Sequence, residues 1–265
     1  IDNGTSWDNE TCQILTDLNG VTSGNNTFVA VGDNGTVLRS TDNGSSFSTV
    51  SPYYAGTSRG VTFGNNTFVG VSDGGKTGRS TDNASSFSSV SSPSSDNLSG
   101  VTFGNNNFVG VGQDGRIVRS TDNGSSWNNS TSPITSSLYG VSFGNNNFVG
   151  VGQNGKIVRS TDNGSTWDNS TSNTSSLLYG VTFGNNTFVG VGQNGEIVRS
   201  TDNGSSWNNS TSPISSDLYG VTFGNDTFVA VGASGKIVRS TDDGSSWDNS
   251  TSTITTDLKG VTFSE

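Results

Sequence analysis

Asp42, Asp82, Asp122, Asp162, Asp202 and Asp242 stand 40 residues apart, each inside a close copy of "STDNGSSW". A carboxylate beside Asn, Gly and Ser is the kind of oxygen donor that calcium takes. Each copy offers one strong acid, however, and Ala84 replaces the glycine of the second copy. The motif therefore reads as a structural turn, and no metal and no cofactor are expected. Arg39, Arg79, Arg119, Arg159, Arg199 and Arg239 precede the motif at one repeat position. Strand alternation puts Ile197 and Arg199 on one face, so these arginines read as supports between repeats or partners of a nearby Asp. There is no His, Cys12 is the lone cysteine, and Glu occurs only at positions 10, 196 and 265. Zinc sites, Cys/His catalysis and most hydrolytic constellations lack their residues, so no catalytic group is expected.

Chemistry is better sought where the repeats differ. Just before each "GV" stand Asn19, Arg59, Ser99, Tyr139, Tyr179, Tyr219 and Lys259. A turn one strand further on holds Gln113, Gln153 and Gln193, followed by residues that include Lys156. Aromatic faces beside amide donors and acceptors suit a sugar: its C–H face stacks on a ring while its hydroxyls find amides. Tyr139, Tyr179, Tyr219, Gln113, Gln153, Gln193 and Lys156 are the candidate ligand-binding residues, and repetition would make binding multivalent. The plainer alternative is that the tyrosines only cover apolar surface.

The elements that must position these residues follow from one unit, "GVTFGNNTFVGVGQNGEIVRSTDNGSSWNNSTSPISSDLY" (180–219). "GVTF", "TFVGVG", "EIVRS" and "SWNNS" are short β-prone runs, separated by Asn- and Gly-rich turn signals. Four strands per 40 residues, without a helical period, predicts an all-β fold: a β-propeller of four-stranded antiparallel blades. A solenoid is the alternative. Units begin near residues 20, 60, 100, 140, 180 and 220, residues 1–19 and 260–265 are partial repeats, and 1–265 reads as a single propeller domain.

"STDNGSSW" resembles the Asp-box, or BNR repeat, of sialidases, sortilin-type receptors and photosystem II assembly factors, whose pattern is Ser/Thr-x-Asp-x-Gly-x-x-Trp/Phe. The resemblance implies a turn between the third and fourth strands of a blade. The Asp would accept N–H bonds across that turn, while Trp127, Trp167, Trp207 and Trp247 would pack between blades. It also raises sialidase chemistry, which needs an arginine triad, a Tyr nucleophile with a supporting Glu, and an Asp acid. The arginines here are ring-equivalent rather than convergent, and no Glu is placed against Tyr139, Tyr179 or Tyr219. A degenerate sialidase-like glycoside hydrolase is thus the remote reading.

Residues 1–25 align with 241–265, so second and third strands occur six times, but first strands and motif copies seven times. Six blades are favoured and seven are the alternative, because a blade lacking its central hairpin exposes unpaired edges. First strands carry Phe63, Phe103, Phe143, Phe183, Phe223 and Phe263, whereas the first copy has Ser23. We therefore expect 260–263 to enter the ring and displace the N-terminal copy.

A formal charge of −10 disfavours nucleic acid and anionic membranes, which need a basic footprint. No apolar run approaches the roughly 20 residues of a membrane span. Ile1 opens inside a motif copy (Asp2, Gly4, Trp7), which suggests a processed or trimmed start. The acidic, Asn- and Thr-rich composition points to an extracellular, cell-surface or virion-surface setting. Partners are a glycan or another protein, and the oligomeric expectation is a monomer or a strand-swapped oligomer, since near-identical repeats invite exchange. The leading function is a non-catalytic, lectin- or adhesin-like module; the alternative is a structural or protein-interaction scaffold.

Overall fold

The computed structural model describes residues 6–7 and 15–263. Asp2, Gly4, Glu10, Cys12 and Glu265 lie outside the described residues. The fold is an all-β propeller of six blades, at 18–49, 58–91, 98–129, 138–169, 178–209 and 218–249. Among the described residues no helix is long and apolar enough to cross a membrane.

The fourth blade shows how sequence becomes structure. Its strands Leu138–Gly144, Asn147–Gly152, Ile157–Ser160 and Asp168–Asn169 pair antiparallel in chain order. The first hairpin turns on Asn145 and Asn146, both left-handed at φ 46° and 61°. Asparagine tolerates that region better than other side-chain-bearing residues, so "NN" serves here as Asn-Gly does in other tight hairpins. In the second strand every residue is buried, as the apolar run "FVGV" requires of a strand covered on both faces.

Blades meet through a repeated apolar set. Val109, Val111 and Ile117 of the third blade pack against Leu138, Val141, Phe148, Val158 and Trp167 of the fourth. At the axis the glycines interlock: a Cβ on Gly140 would lie 2.9 Å from the Tyr179 carbonyl, and one on Gly180 3.0 Å from that of Tyr219. Only Gly lets inner strands approach so closely.

Ring closure differs from the sequence expectation. Leu18–Gly24 is the innermost strand of the first blade, paired with Thr27–Gly32, and is not displaced. A two-residue turn joins those strands, so local pairing outcompetes a segment about 240 residues away, whose loop closure is costlier. Residues 258–263 lie instead between the sixth and first blades without strand pairing. A Cβ on Gly220 would meet the Lys259 carbonyl at 3.1 Å, and one on Gly260 would meet Val21 at 3.4 Å. Ser23 tolerates its departure from Phe because its hydroxyl donates to the Phe263 carbonyl at 2.9 Å.

Candidate functional site

A β-bulge aims the variable residues. In each blade the register of the first strand slips just before "GV", as between Leu138 and Gly140, leaving Tyr139 as the extra residue. Tyr179, Tyr219, Asn19, Arg59 and Ser99 occupy the same bulged position. Bulges re-aim side chains, and here all six, with Lys259, line one cavity of 450 Å³ at the mouth of the axial channel.

The mouth is asymmetric. Tyr139, Tyr179 and Tyr219 form a continuous aromatic arc, with ring centroids 6.0 Å and 5.5 Å apart. Lys259 Nζ extends the arc, 4.9 Å from the Tyr219 ring centroid. The remaining rim is polar: Asn19 donates to Asp33 at 2.9 Å, and Arg59 forms an ion pair with Asp73. Burial, then the Asp217 carboxylate, pushes the Tyr179 phenol above its ordinary value; burial, then Asp257, does the same for Tyr219. These tyrosines stay neutral hydroxyls and serve as stacking faces and hydrogen-bonding groups.

Gln113 lines the same mouth, but Gln153, Gln193 and Lys156 are not among its lining residues. The tyrosines therefore share one surface in place of one site per blade. Asn97 and Ser137, which sequence reasoning passed over, also line the mouth. Asn97 accepts the Gly74 N–H at 2.9 Å, and Asp217 accepts the Asn194 N–H at 2.8 Å. The signal was present: this repeat position holds Asn, Ser or Asp in most units, residue types that cap turns.

On the opposite face each "STDNGSSW" copy closes on itself. Asp202 accepts the Ser200 hydroxyl at 2.8 Å, the Ser206 N–H at 2.9 Å and the Ser206 hydroxyl at 2.6 Å. Asp42, Asp82, Asp122, Asp162 and Asp242 make equivalent bonds. Both carboxylate oxygens are thus used within the turn. Trp167, Trp207 and Trp247 are buried and donate to the carbonyls of Gly164, Gly204 and Gly244; Trp127 is buried with its N–H unpartnered. Arg39, Arg79 and Arg199 donate to a turn carbonyl of the following blade, whereas Arg119 and Arg159 donate to Asn107 and Asn147 of their own. A row of amides that the sequence reading did not foresee also crosses this face: Asn65 donates to Asn106, Asn105 to Asn146 and Asn145 to Asn186.

Residues 52–178 match the DUF6242 beta propeller domain. Among solved structures, "YCF48 bound to D1 peptide" superposes with a TM-score of 0.70 at 18% identity, covering 90% of this chain and 83% of that one. YCF48 from Cyanidioschyzon merolae gives 0.69 at 16%, covering 90% and 86%. The WD40 beta propeller domain of Doa1 gives 0.74 at 11%, covering 93% and 86%. At such identities the likeness is one of fold. No curated protein sequence matches the chain.

Proposed function

We propose that this propeller is a non-catalytic binding module that holds an extended segment of a partner protein across the tyrosine-lined mouth. The observation that carries this reading is convergence: six bulged residues and Lys259 meet in one asymmetric cavity. A three-tyrosine arc offers stacking surface, and the polar rim offers amides and hydroxyls to a peptide backbone. Its volume of 450 Å³ suits a few side chains. The fold neighbour solved as "YCF48 bound to D1 peptide" supports the same reading. The self-contained "STDNGSSW" turns are read as Asp-boxes acting as rivets. An extracellular setting remains part of this proposal.

A glycan is the second reading, favoured by Gln113 beside the tyrosines in one cavity. One experiment separates them: selection from a random linear peptide library, with a glycan array in parallel, using the chain and its Tyr179→Ala variant. Peptides enriched on the chain and lost on the variant support the proposal. Saturable glycan binding with the same sensitivity replaces it with the lectin reading, and no Tyr179-dependent ligand of either kind overturns both.

A further inference from the structure

We propose that the mouth anchors its partner segment by an aromatic side chain, seated in a slot above Ser99 between Tyr139 and Arg59. The proposal rests on reading the mouth as a peptide site and names the side chain that holds the peptide there. Around the rim, Arg59 is followed by Ser99 and then by Tyr139, Tyr179, Tyr219 and Lys259. Ser99 is the shortest side chain in this series, and it interrupts a rim built of long ones.

The other blades close the space behind their mouth residue. Asn19 donates to Asp33 and Arg59 pairs with Asp73, each in the turn between the second and third strands of its own blade. In the fourth, fifth and sixth blades a tyrosine stands in front of that turn, and Gln153, Gln193 and Ala233 do not line the mouth. Among the described residues, the cavity runs outward only behind Ser99. There it reaches Gln113 in the turn of the third blade, Asn97 two residues before Ser99, and Ser137 two residues before Tyr139. The short side chain of Ser99 thus accounts for Gln113 being the one glutamine at the mouth.

The slot has the thickness of one ring. Tyr139 and Tyr179 stand 6.0 Å apart by ring centroids, Tyr179 and Tyr219 5.5 Å. One further step of that spacing beyond Tyr139 places the next ring over Ser99, where this chain supplies only a hydroxymethyl group. Among the described residues, Tyr139 has a ring neighbour on the Tyr179 side alone. Across the slot the Arg59 guanidinium is held by Asp73, with Nε and Nη2 each on one carboxylate oxygen. A ring between them gains aromatic stacking on one face and a guanidinium on the other. The outer end of the slot is polar. Asn97 accepts the Gly74 N–H at 2.9 Å and Ser137 the Asp114 N–H at 3.3 Å, so each keeps a donor for a polar atom on the edge of the ring. A guanidinium is also flat, but it would lie against the like charge of Arg59, and a branched aliphatic side chain is thicker than a ring.

The probe is N-acetyl-L-tyrosinamide, titrated into the isotope-labelled chain and followed through its amide NMR signals. Saturable shifts are expected at Ser99, Gln113 and Tyr139, at concentrations where N-acetyl-L-leucinamide gives none. Ser99→Tyr fills the slot with the residue that three other blades carry at the same position, so the fold should survive and the binding should be lost. Tyr139→Leu removes the stacking face and should weaken the probe roughly tenfold. Peptides selected on the chain should carry an aromatic residue and lose their enrichment on Ser99→Tyr. No saturable probe binding, equal binding of the leucine amide, or binding unchanged by Ser99→Tyr overturns the proposal. Peptides that need Tyr179 but tolerate Ser99→Tyr also overturn it, and leave the peptide reading of the mouth intact. Probe binding lost on Ser99→Tyr, without any Tyr179-dependent peptide, supports the slot and overturns the peptide reading instead.

Discussion

At the scale of single residues, the repeated aspartates work as acceptors for their own turns. The Ser46 hydroxyl, then that of Ser40, lowers Asp42 to about 2; the Ser86 hydroxyl leads in lowering Asp82 to about 2. Burial is the largest single influence on Asp242 and raises it, but bonds from Ser246 and Ser240 outweigh it and leave it at about 2. Unfolded aspartate titrates at about 3.9. A group depressed on folding adds stability that is whole above its unfolded value and lost as pH falls through its folded one. The urea midpoint, measured at constant ionic strength, should therefore be level from pH 7 to 5 and drop between about pH 4 and 2. Acidification also discharges a chain of net charge −10, which relieves repulsion and acts in the opposite sense. A midpoint that rises throughout would show that repulsion, not turn bonding, dominates. At neutral pH, Asp202→Ala should cost about 1–3 kcal/mol, as for a charged acceptor removed from several donors.

At the scale of elements, much was legible because each repeat states its strands and turns locally. The 40-residue period, the "NN" and "NG" turns and the "IVRS" alternation give the blades directly. The mouth was half legible: Tyr139, Tyr179 and Tyr219 were singled out, but the bulge that unites them arises from strand pairing, which no single repeat reveals. The second blade shows a compensation hidden for the same reason. Its third strand has Gly78 where the third blade has Val118, and its first has Ser58 where that blade has Leu98. Tyr53, from the preceding connection, fills the space: a Cβ on Gly78 would lie 2.3 Å from its ring. Its hydroxyl is 3.0 Å from Ser72 Oγ, and burial pushes its phenol up. Tyr53→Ala should cost about 3–5 kcal/mol, like other large aromatic truncations in cores, and Gly78→Val alone should destabilise by overpacking. The double variant should be more stable than the sum of the single losses predicts, by about 1 kcal/mol or more in a denaturation cycle. Strict additivity would mean that Tyr53 and Gly78 are not packed as a pair.

At the scale of the whole molecule, closure sets how stability is distributed around the ring. In repeat architectures stability is a sum of unit terms and nearest-neighbour interface terms. The second to fifth blades each have a complete apolar interface on both sides. The first and sixth have one complete interface each and share the sector held by 258–263 and Ser6–Trp7. The partial burial of Phe28, against the fully buried Phe148 and Phe188, is the local mark of that difference. Sub-global opening should therefore start at the seam and leave the far side of the ring intact. In native-state hydrogen exchange read by mass spectrometry, second-strand amides of 27–32 and 227–232 should exchange at lower opening free energy than those of 107–112 and 147–152. The gap should be about 1–3 kcal/mol, the worth of a few incompletely buried apolar side chains. Equal protection in all six second strands would show that the terminal pieces close the ring as firmly as a full blade. In that case the seam would be no weaker than any other interface.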